Sequence, residues 1–522
     1  MPFSGAPFDP VPQHLTIWEW LFEDHRRDVR TNAFTDALST ERVTFETLKT
    51  YATSASISLA LDHALKAKEK VAIVCRSSVW YPVAVFAAIR LGAVVVPLPH
   101  EAKPPDYEYF LKTCGAKLVF VDESTVDLVR PACARLNLGP ESIMSVDGSV
   151  KGLKSLQTLI GDGGSLGRQE EVSYWQLSST QTNDKTCAYL AFSSGTTGLP
   201  KAVMISHANV ISQCLQMQIM ELGTGVPLLA PLPFYHITGL AQFLHLPILF
   251  DQETILLSKF NMEAMMSAIT RYKCGELWLV PPILIRMVNE NVAQKYDLSC
   301  VKQFNTGAAP LSPQVIEKLS KDFPNVRLRQ GWGMTESCSC ITTTPKDLQT
   351  YENAHKIWAR GPQVTMGYLN NEKATRDTFD QDGYLHTGDL GMMGRDGFIT
   401  IHDRIKEMIK VKGHGVAPAE LEDTLHGHAK VADVAVIGIP DEYSGEVPKA
   451  FVVLKPDVSK SQETIEELQK HVEEAKARYM WLRGGIEFID EIPKSASGKI
   501  LRRALRESEK KKAAQRGGKA RL

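Results

Sequence analysis

The chain has 522 residues, of which 43% are hydrophobic, 23% charged and 8% aromatic, with 36 Gly and 28 Pro scattered along it. That composition excludes a fibrous, collagenous or largely disordered protein, and a formal net charge of −1 excludes a surface built throughout to hold nucleic acid. Against a typical domain of about 150 residues, the length points to about three compact units. The first residues, MPFSGAPFDPVPQ, lack a basic segment followed by an apolar one, and nine cysteines without regular spacing read as reduced thiols. Cys338 and Cys340 have the spacing of a soft-metal pair, but no second Cys/His pair at zinc spacing accompanies them.

In chain order, Lys70–Cys75 reads as a buried strand, Tyr81–Leu91 as a helix, Ala93–Pro97 as a strand, Tyr107–Cys114 as a helix and Lys117–Val121 as a strand. Such alternation predicts an α/β fold with a mostly parallel sheet covered on both faces. Gly161–Thr182, rich in small polar residues, is predicted to be an exposed connection, and a second α/β run follows from Thr186 to about Val326. Leu222–Phe250 carries no Asp, Glu, Lys or Arg and is long enough to span a bilayer. Its four prolines and two histidines argue instead for a buried strand-loop-helix and no transmembrane segment. After Asp403, charged helical patterns (Ala419–His426, Ser461–Tyr479) alternate with strands (Val434–Gly438, Ala450–Leu454), predicting a small α+β domain that ends near Arg503.

The chemistry concentrates in a few segments. Phe192–Lys201 reads FSSGTTGLPK and follows the apolar Ala188–Ala191. Two glycines let backbone N–H groups approach an anion, hydroxyls add donors and Lys201 adds a cation, which together suit a phosphate cradle. It is not a Walker A loop, because the Lys is not followed by Ser or Thr. Four more segments follow in order: Gln330–Glu336 (QGWGMTE), Tyr384–Gly391 (YLHTGDLG), Asp403–Glu422 (DRIKEMIKVKGHGVAPAELE) and Ile492–Arg503 (IPKSASGKILRR).

This set, in this order, resembles the adenylate-forming superfamily, and most closely acyl-CoA synthetases of the 4-coumarate–CoA ligase type. The resemblance implies a large N-terminal AMP-binding domain over residues 1–402, made of two α/β subdomains and a small β-barrel. A small mobile α+β C-terminal domain over 403–522 would follow, with its hinge at Lys406. It implies ATP, Mg²⁺ and CoA as cofactor and co-substrates, and a carboxylic acid, aromatic or medium-chain, as the partner to be activated through an acyl-AMP. Ser193, Ser194, Gly195, Thr196, Thr197, Gly198 and Lys201 would hold the ATP phosphates. Thr335 and Glu336 would serve the α-phosphate and the metal, Asp389 and Arg404 the ribose, and Ala308, Gln330, Gly331 and Trp332 the adenine and acyl pocket. Lys499 matches the adenylation lysine, and His236 a histidine between acyl pocket and thiol tunnel. Thr238, Lys406 and Lys410 would meet the acyl-adenylate, while Lys259, Lys412 and Gly413 would meet CoA.

Three features depart from that pattern. Ala202 replaces a usual glycine, Gly415 stands where plant-type ligases carry a glutamine, and between Glu336 and Arg360 the family has about thirty more residues, enough for about three or four strands. Either the barrel beside the nucleotide is abbreviated, or the sequence derives from a mis-spliced gene model. The shortened segment motivates a non-catalytic nucleotide- or acyl-CoA-binding remnant as one alternative, beside a luciferase-like oxygenase and a domain that loads a carrier protein. From Arg502 onward nine basic residues face two acidic ones, a surplus of seven that leaves the body at −8. This stretch is expected to be a flexible basic tail, and its Ala520-Arg521-Leu522 ending resembles a degenerate SKL address. Peroxisomal localisation, with an import receptor as partner, is the expectation and a cytoplasmic location the alternative.

Overall fold

The computed structural model describes residues 8–24, 31–148, 150–165, 172–193, 199–218, 225–290, 295–309, 311, 313–343, 354–393, 399–495 and 498–519. Its organisation is visible in one strand. Along Lys70–Val74, Val71 and Ile73 enter one core while Ala72 and Val74 enter another. Apolar residues on both sides of a period-two strand require a sheet covered on both faces.

That strand lies inside a seven-stranded sheet in the order Lys154–Ser155, Ile143–Ser145, Ala116–Val121, Lys70–Val74, Val94–Pro97, Cys187–Ser193, Lys201–Ser206. All neighbours are parallel except the last pair. An eight-stranded sheet runs Ser339–Thr343, Arg327–Met334, Gln303–Thr306, Glu276–Trp278, Leu228–Ala230, Thr254–Leu256, Ala33–Asp36, Arg42–Thr44, antiparallel only at its two edges. Every residue of the helix Tyr81–Arg90 is buried, as an interior helix with an apolar circumference must be. It ties the two sheets together: Tyr81 meets Phe234 at 5.3 Å and Phe86 meets His245 at 5.5 Å between ring centroids.

The charge-free stretch before Phe250 forms the strand Leu228–Ala230, a π-helix Gly239–His245 and a helix Leu246–Phe250, so its apolar character serves the core. Among the described residues no helix is long and apolar enough to cross a membrane. Ala354–Ala359, Leu385–Met393 and Ile399–Arg404 make a three-stranded antiparallel sheet. The segment after Glu336 thus supplies the edge strand Ser339–Thr343 to the large sheet and Ala354–Ala359 to the small one.

Beyond Arg404 a separate core forms around the hairpin Val431–Asp441 and Gly445–Leu454. Val434 and Val436 face one cluster with Leu468 and Val472, and Ala435 and Ile437 face another with Phe451 and Leu505.

Two expectations need correction. Gly161–Thr182 is not simply an exposed connection: the helix Leu156–Gly163 takes its start. Further on, the Trp175 amide donates to Arg90 O at 2.8 Å, and its ring fills the space beside Gly92. The basic stretch is not a flexible tail through its whole length either, because Arg502–Lys519 is a helix. Leu505 is buried, Arg502 Nη2 donates to both oxygens of Glu422 at 2.7 and 2.8 Å, Arg506 pairs with Glu407 and Lys512 with Glu487. Those carboxylates come from remote parts of the chain, so a local charge count overstates repulsion. Residues 520–522, which carry the proposed address, lie outside the described residues.

Candidate active site

The segment expected to cradle phosphates connects an antiparallel pair, Cys187–Ser193 and Lys201–Ser206, in which Ser193 faces Lys201. Ser194, Gly195, Thr196, Thr197 and Gly198 lie outside the described residues. The pair is anchored on both sides: the Tyr109 hydroxyl donates to Pro200 O at 2.7 Å, and Leu369 N donates to Ala202 O at 2.9 Å. Ala202 is buried at an ordinary backbone conformation, so the methyl group that replaces the usual glycine hydrogen is accommodated.

Backbone pairing along Lys201–Ser206 also places Tyr368 beside this strand, through a bridge to Val203. The Lys201 ammonium lies 4.7 Å from the Tyr368 ring centroid, and the Tyr368 hydroxyl donates to Glu336 Oε1 at 2.8 Å. Burial and the Glu336 carboxylate push the phenol pKa up, so Tyr368 stays a donor. One side chain therefore contacts both Lys201, the expected phosphate lysine, and Glu336, the expected metal ligand. Thr335 and Glu336 sit in a short 3-10 turn, Thr335–Ser337, closed by Ser337: its hydroxyl accepts from Met334 N at 3.1 Å and lies within donating distance of Met334 O and Ser339 O.

Asp389, on Leu385–Met393, is 3% exposed. Its Oδ2 accepts from the Trp332 indole N–H at 2.9 Å, and Oδ1 lies 3.3 Å from Arg404 Nε, with Asp389 and Arg404 directly opposite across the strands. Oδ1 is buried and accepts no hydrogen bond among the described residues, which leaves an acceptor for an outside donor such as a hydroxyl. Trp332 is thus a positioning residue for Asp389. Nearby, Ala308 holds a left-handed φ of +70° after Gly307, whose missing Cβ would lie 2.7 Å from Gly331 O. The close approach of the two strand ends brings Ala308, Gln330 and Gly331 to one edge of the site.

Lys499 reaches this place on a tight turn: Ser495 N donates to Lys499 O at 2.8 Å and Lys499 N to Ser495 Oγ at 3.2 Å. Gly498, at φ +77°, has Pro282 Cγ 2.9 Å from where a Cβ would stand, so the arm is seated directly on the helix Pro281–Asn289. The Lys499 ammonium feels the charges of Arg404, Asp389, Glu407 and Glu336, and burial followed by the Arg404 charge brings its pKa down to about 8. His236 shares this environment: burial, then the Lys499 ammonium, push its imidazole down to about 4. The Thr238 amide donates to His236 Nδ1 at 3.4 Å, so the neutral ring carries its proton on Nε2.

Lys499, His236, Thr238, Asp389, Arg404, Thr335, Glu336, Lys201 and Ser193 therefore belong to one neighbourhood, although they come from six separate stretches of chain. Other expected residues stay outside it. Lys259, Lys406 and Lys410 are exposed, and Lys410 N donates to Glu446 Oε2 at 2.9 Å. Lys412 and Gly413 form an exposed turn with left-handed φ of +50° and +84°, the Lys412 ammonium lying 3.8 Å from the Tyr443 ring centroid. Gly415 is exposed across the same hairpin from Lys410. Sequence reasoning missed Tyr368, Glu407 and Arg502 as parts of the support. Glu407 and Arg502 had a signal, since both lie inside the segments Asp403–Glu422 and Ile492–Arg503, whereas Tyr368 lies outside every segment quoted above.

A family described as AMP-binding enzyme matches residues 22–356, and a second, AMP-binding enzyme C-terminal domain, matches residues 420–499. The chain belongs to the AMP-binding enzyme family. Among relatives of this family, the "Peroxisomal OPC-8:0-CoA ligase 1" of Arabidopsis thaliana is 34% identical over 95% of this chain and 94% of its own length. The "4-coumarate–CoA ligase 2" of Oryza sativa subsp. japonica is 31% identical over 96% of this chain and 94% of its own length. Among solved structures, the anthranilate CoA ligase AuaEII in complex with anthranoyl-AMP superposes with a TM-score of 0.83 at 25% identity, covering 96% of this chain and 99% of that one.

Proposed function

We propose that the protein is an AMP-forming acid–CoA ligase that activates an aromatic or medium-chain carboxylic acid with ATP and transfers the acyl group to CoA. The observation that carries this reading is the seating of Lys499 on Pro282, buried where its ammonium interacts with the charges of Asp389 and Glu336 and with His236. A carboxylate oxygen attacks the α-phosphorus, a new O–P bond forms, and pyrophosphate leaves with its bonding pair. A thiol then attacks the acyl carbon of the mixed anhydride, and AMP leaves.

Both steps are governed by charge. Lys201 and the loop from Ser193 hold the β- and γ-phosphates, Asp389 and Arg404 the ribose, and Lys499 bridges the attacking carboxylate and the α-phosphate as a mobile point charge. Glu336 suits Mg²⁺: its hard oxygen is fixed by Tyr368. When bound, Mg²⁺ neutralises charge on the triphosphate. Neutral His236 separates the acyl side from the thiol side without placing a second cation there.

Residues 1–402 and 403–522 act as two domains with the hinge at Lys406. Support comes from the separate cores and from the exposure of Lys406 between Arg404 and the strand Ile409–Val411. Rotation there exchanges Lys499 for the Lys412–Gly415 turn, and the exposed Lys259, Lys412 and Gly413 are then available to CoA. The relative named as peroxisomal supports that compartment for this chain, and an import receptor would read Ala520-Arg521-Leu522. A fluorescent fusion that loses peroxisomal punctae when these three residues are removed tests it.

The activity test is AMP and pyrophosphate release by the purified chain with ATP, CoA and a broad carboxylic-acid panel. Lys499→Ala abolishes release, and inertness of the wild type toward every acid overturns the reading. Acyl-CoA is measured separately, because oxygenation or carrier loading would release pyrophosphate without forming it.

A further inference from the structure

A cavity of about 410 Å³, within the size range of small-molecule sites, opens against the seven-stranded sheet. Its floor is one row of side chains. Lys70 stands opposite Val94, and Leu190 opposite Met204, on paired strands. Val95 pairs with Tyr189, so Val94 and Leu190 share the other face of the sheet. Leu369, one step from the Val203–Tyr368 bridge, continues the row beside Met204. Val94 and Leu190 belong to the core that holds Ala72 and Val74, whereas Val203 and Tyr368 belong to the core that holds Val71 and Ile73. The cavity and the contact of Tyr368 with Lys201 and Glu336 thus lie on opposite faces of the same strands.

The rim is cationic. Lys68, Lys70 and Lys185 line the cavity with Thr180, Thr182 and Thr186, and among the described residues no Asp or Glu does. The Lys70 charge acts on the thiol of Cys187, another lining residue, which places the ammonium near the floor. Glu69, between two of these lysines in sequence, is engaged elsewhere, accepting from Lys117 Nζ and from Lys66 N, each at 2.7 Å. Lys185 Nζ lies 3.5 Å from Asp184, while Lys68 and Lys70 form no ion pair among the described residues. In a chain whose body carries −8, three ammonium groups around one opening are not part of a generally basic surface. Their mutual repulsion is relieved when an anion enters.

We infer that this cavity is a second ligand site, separate from the candidate active site, which takes an amphipathic anion. A carboxylate or phosphate head meets Lys68, Lys70 and Lys185, and a short hydrocarbon or aromatic body covers Val94, Leu190, Met204 and Leu369. An inorganic anion uses the rim and leaves the floor wet, and a neutral apolar molecule uses the floor and leaves the lysines uncompensated. The inference goes beyond the ligase reading and does not depend on it.

The experiment is titration calorimetry of the full-length protein with octyl phosphate, octanoate, octanol and inorganic phosphate. The expected result is that at least one of the two amphipathic anions binds at least about tenfold more tightly than octanol and inorganic phosphate, and the tighter of the two identifies the head group. The double variant Lys68→Gln/Lys70→Gln weakens that binding at least about tenfold, and Lys185→Gln weakens it less. None of these side chains is buried, so the melting temperature of each variant stays close to wild type. Because amphipathic anions also suit the candidate active site, the octyl phosphate titration is repeated with saturating AMP, and its affinity is unchanged. Wild-type affinity in the double variant, displacement by AMP, equal binding of octanol or inorganic phosphate, or no binding of either amphipathic anion up to millimolar concentration overturns the inference.

Discussion

With a pKa of about 8 in place of the ordinary 10.5, Lys499 titrates inside the working pH range. The direction follows from its surroundings: burial disfavours the ammonium and Arg404 repels it, and Asp389, Glu407 and Glu336 recover only part of the loss. In the proposed reaction the ammonium is the useful form, since there it bridges two anions. It is about nine-tenths populated one unit below its pKa, half populated at it and about one-tenth populated one unit above. In the adenylation half-reaction without CoA, which removes thiol ionisation from the profile, kcat/KM for ATP is therefore flat below about pH 7 and falls about tenfold per unit above about pH 8.5. Lys499→Arg stays charged throughout and is slower, but it loses the alkaline limb. Lys499→Ala costs at least about 10²-fold at every pH. A wild-type profile flat to about pH 9.5, or the same break in the arginine variant, would refute the assignment.

Three further outcomes follow from the support of the site. Tyr368→Phe removes a hydrogen bond to a charged group, a loss of about 1.5–3 kcal/mol, so kcat/KM for ATP falls by about ten- to a hundredfold. It also raises the Mg²⁺ concentration needed for half-maximal rate, while the melting temperature measured by calorimetry stays close to wild type. Trp332→Phe takes the indole donor from Asp389 Oδ2, and steady-state kinetics should show the KM for ATP rising about tenfold with a smaller change in kcat. Arg502→Met leaves Glu422 buried without its counter-ion, costing about 3–5 kcal/mol in thermal or urea unfolding, and adding Glu422→Leu restores much of it.

Much of the site was legible in the linear sequence because its chemistry constrains residue type locally. A phosphate loop needs glycines, hydroxyls and a lysine within a few residues, and FSSGTTGLPK supplies them without reference to the rest of the fold. The early strands and helices were legible for a similar reason: burial on both faces writes continuous apolar runs, as in Lys70–Val74 and Val94–Pro97. The tail was misread because helix Arg502–Lys519 is held by Glu407, Glu422 and Glu487, which no local window contains.

The sequence by itself determined which chemistry the chain carries, through the order and composition of its motifs, because anion binding and acyl activation demand particular side chains at short spacing. Only the tertiary structure decided what those side chains do to one another. Tyr368 lies 167 positions beyond Lys201 and 32 beyond Glu336, yet touches both, because a strand edge pairs with its backbone. Lys499 acquires a pKa of about 8 only where the C-terminal arm rests on Pro282 and is shielded from water. Electrostatic tuning depends on distance and burial, and neither is defined until remote segments have packed together.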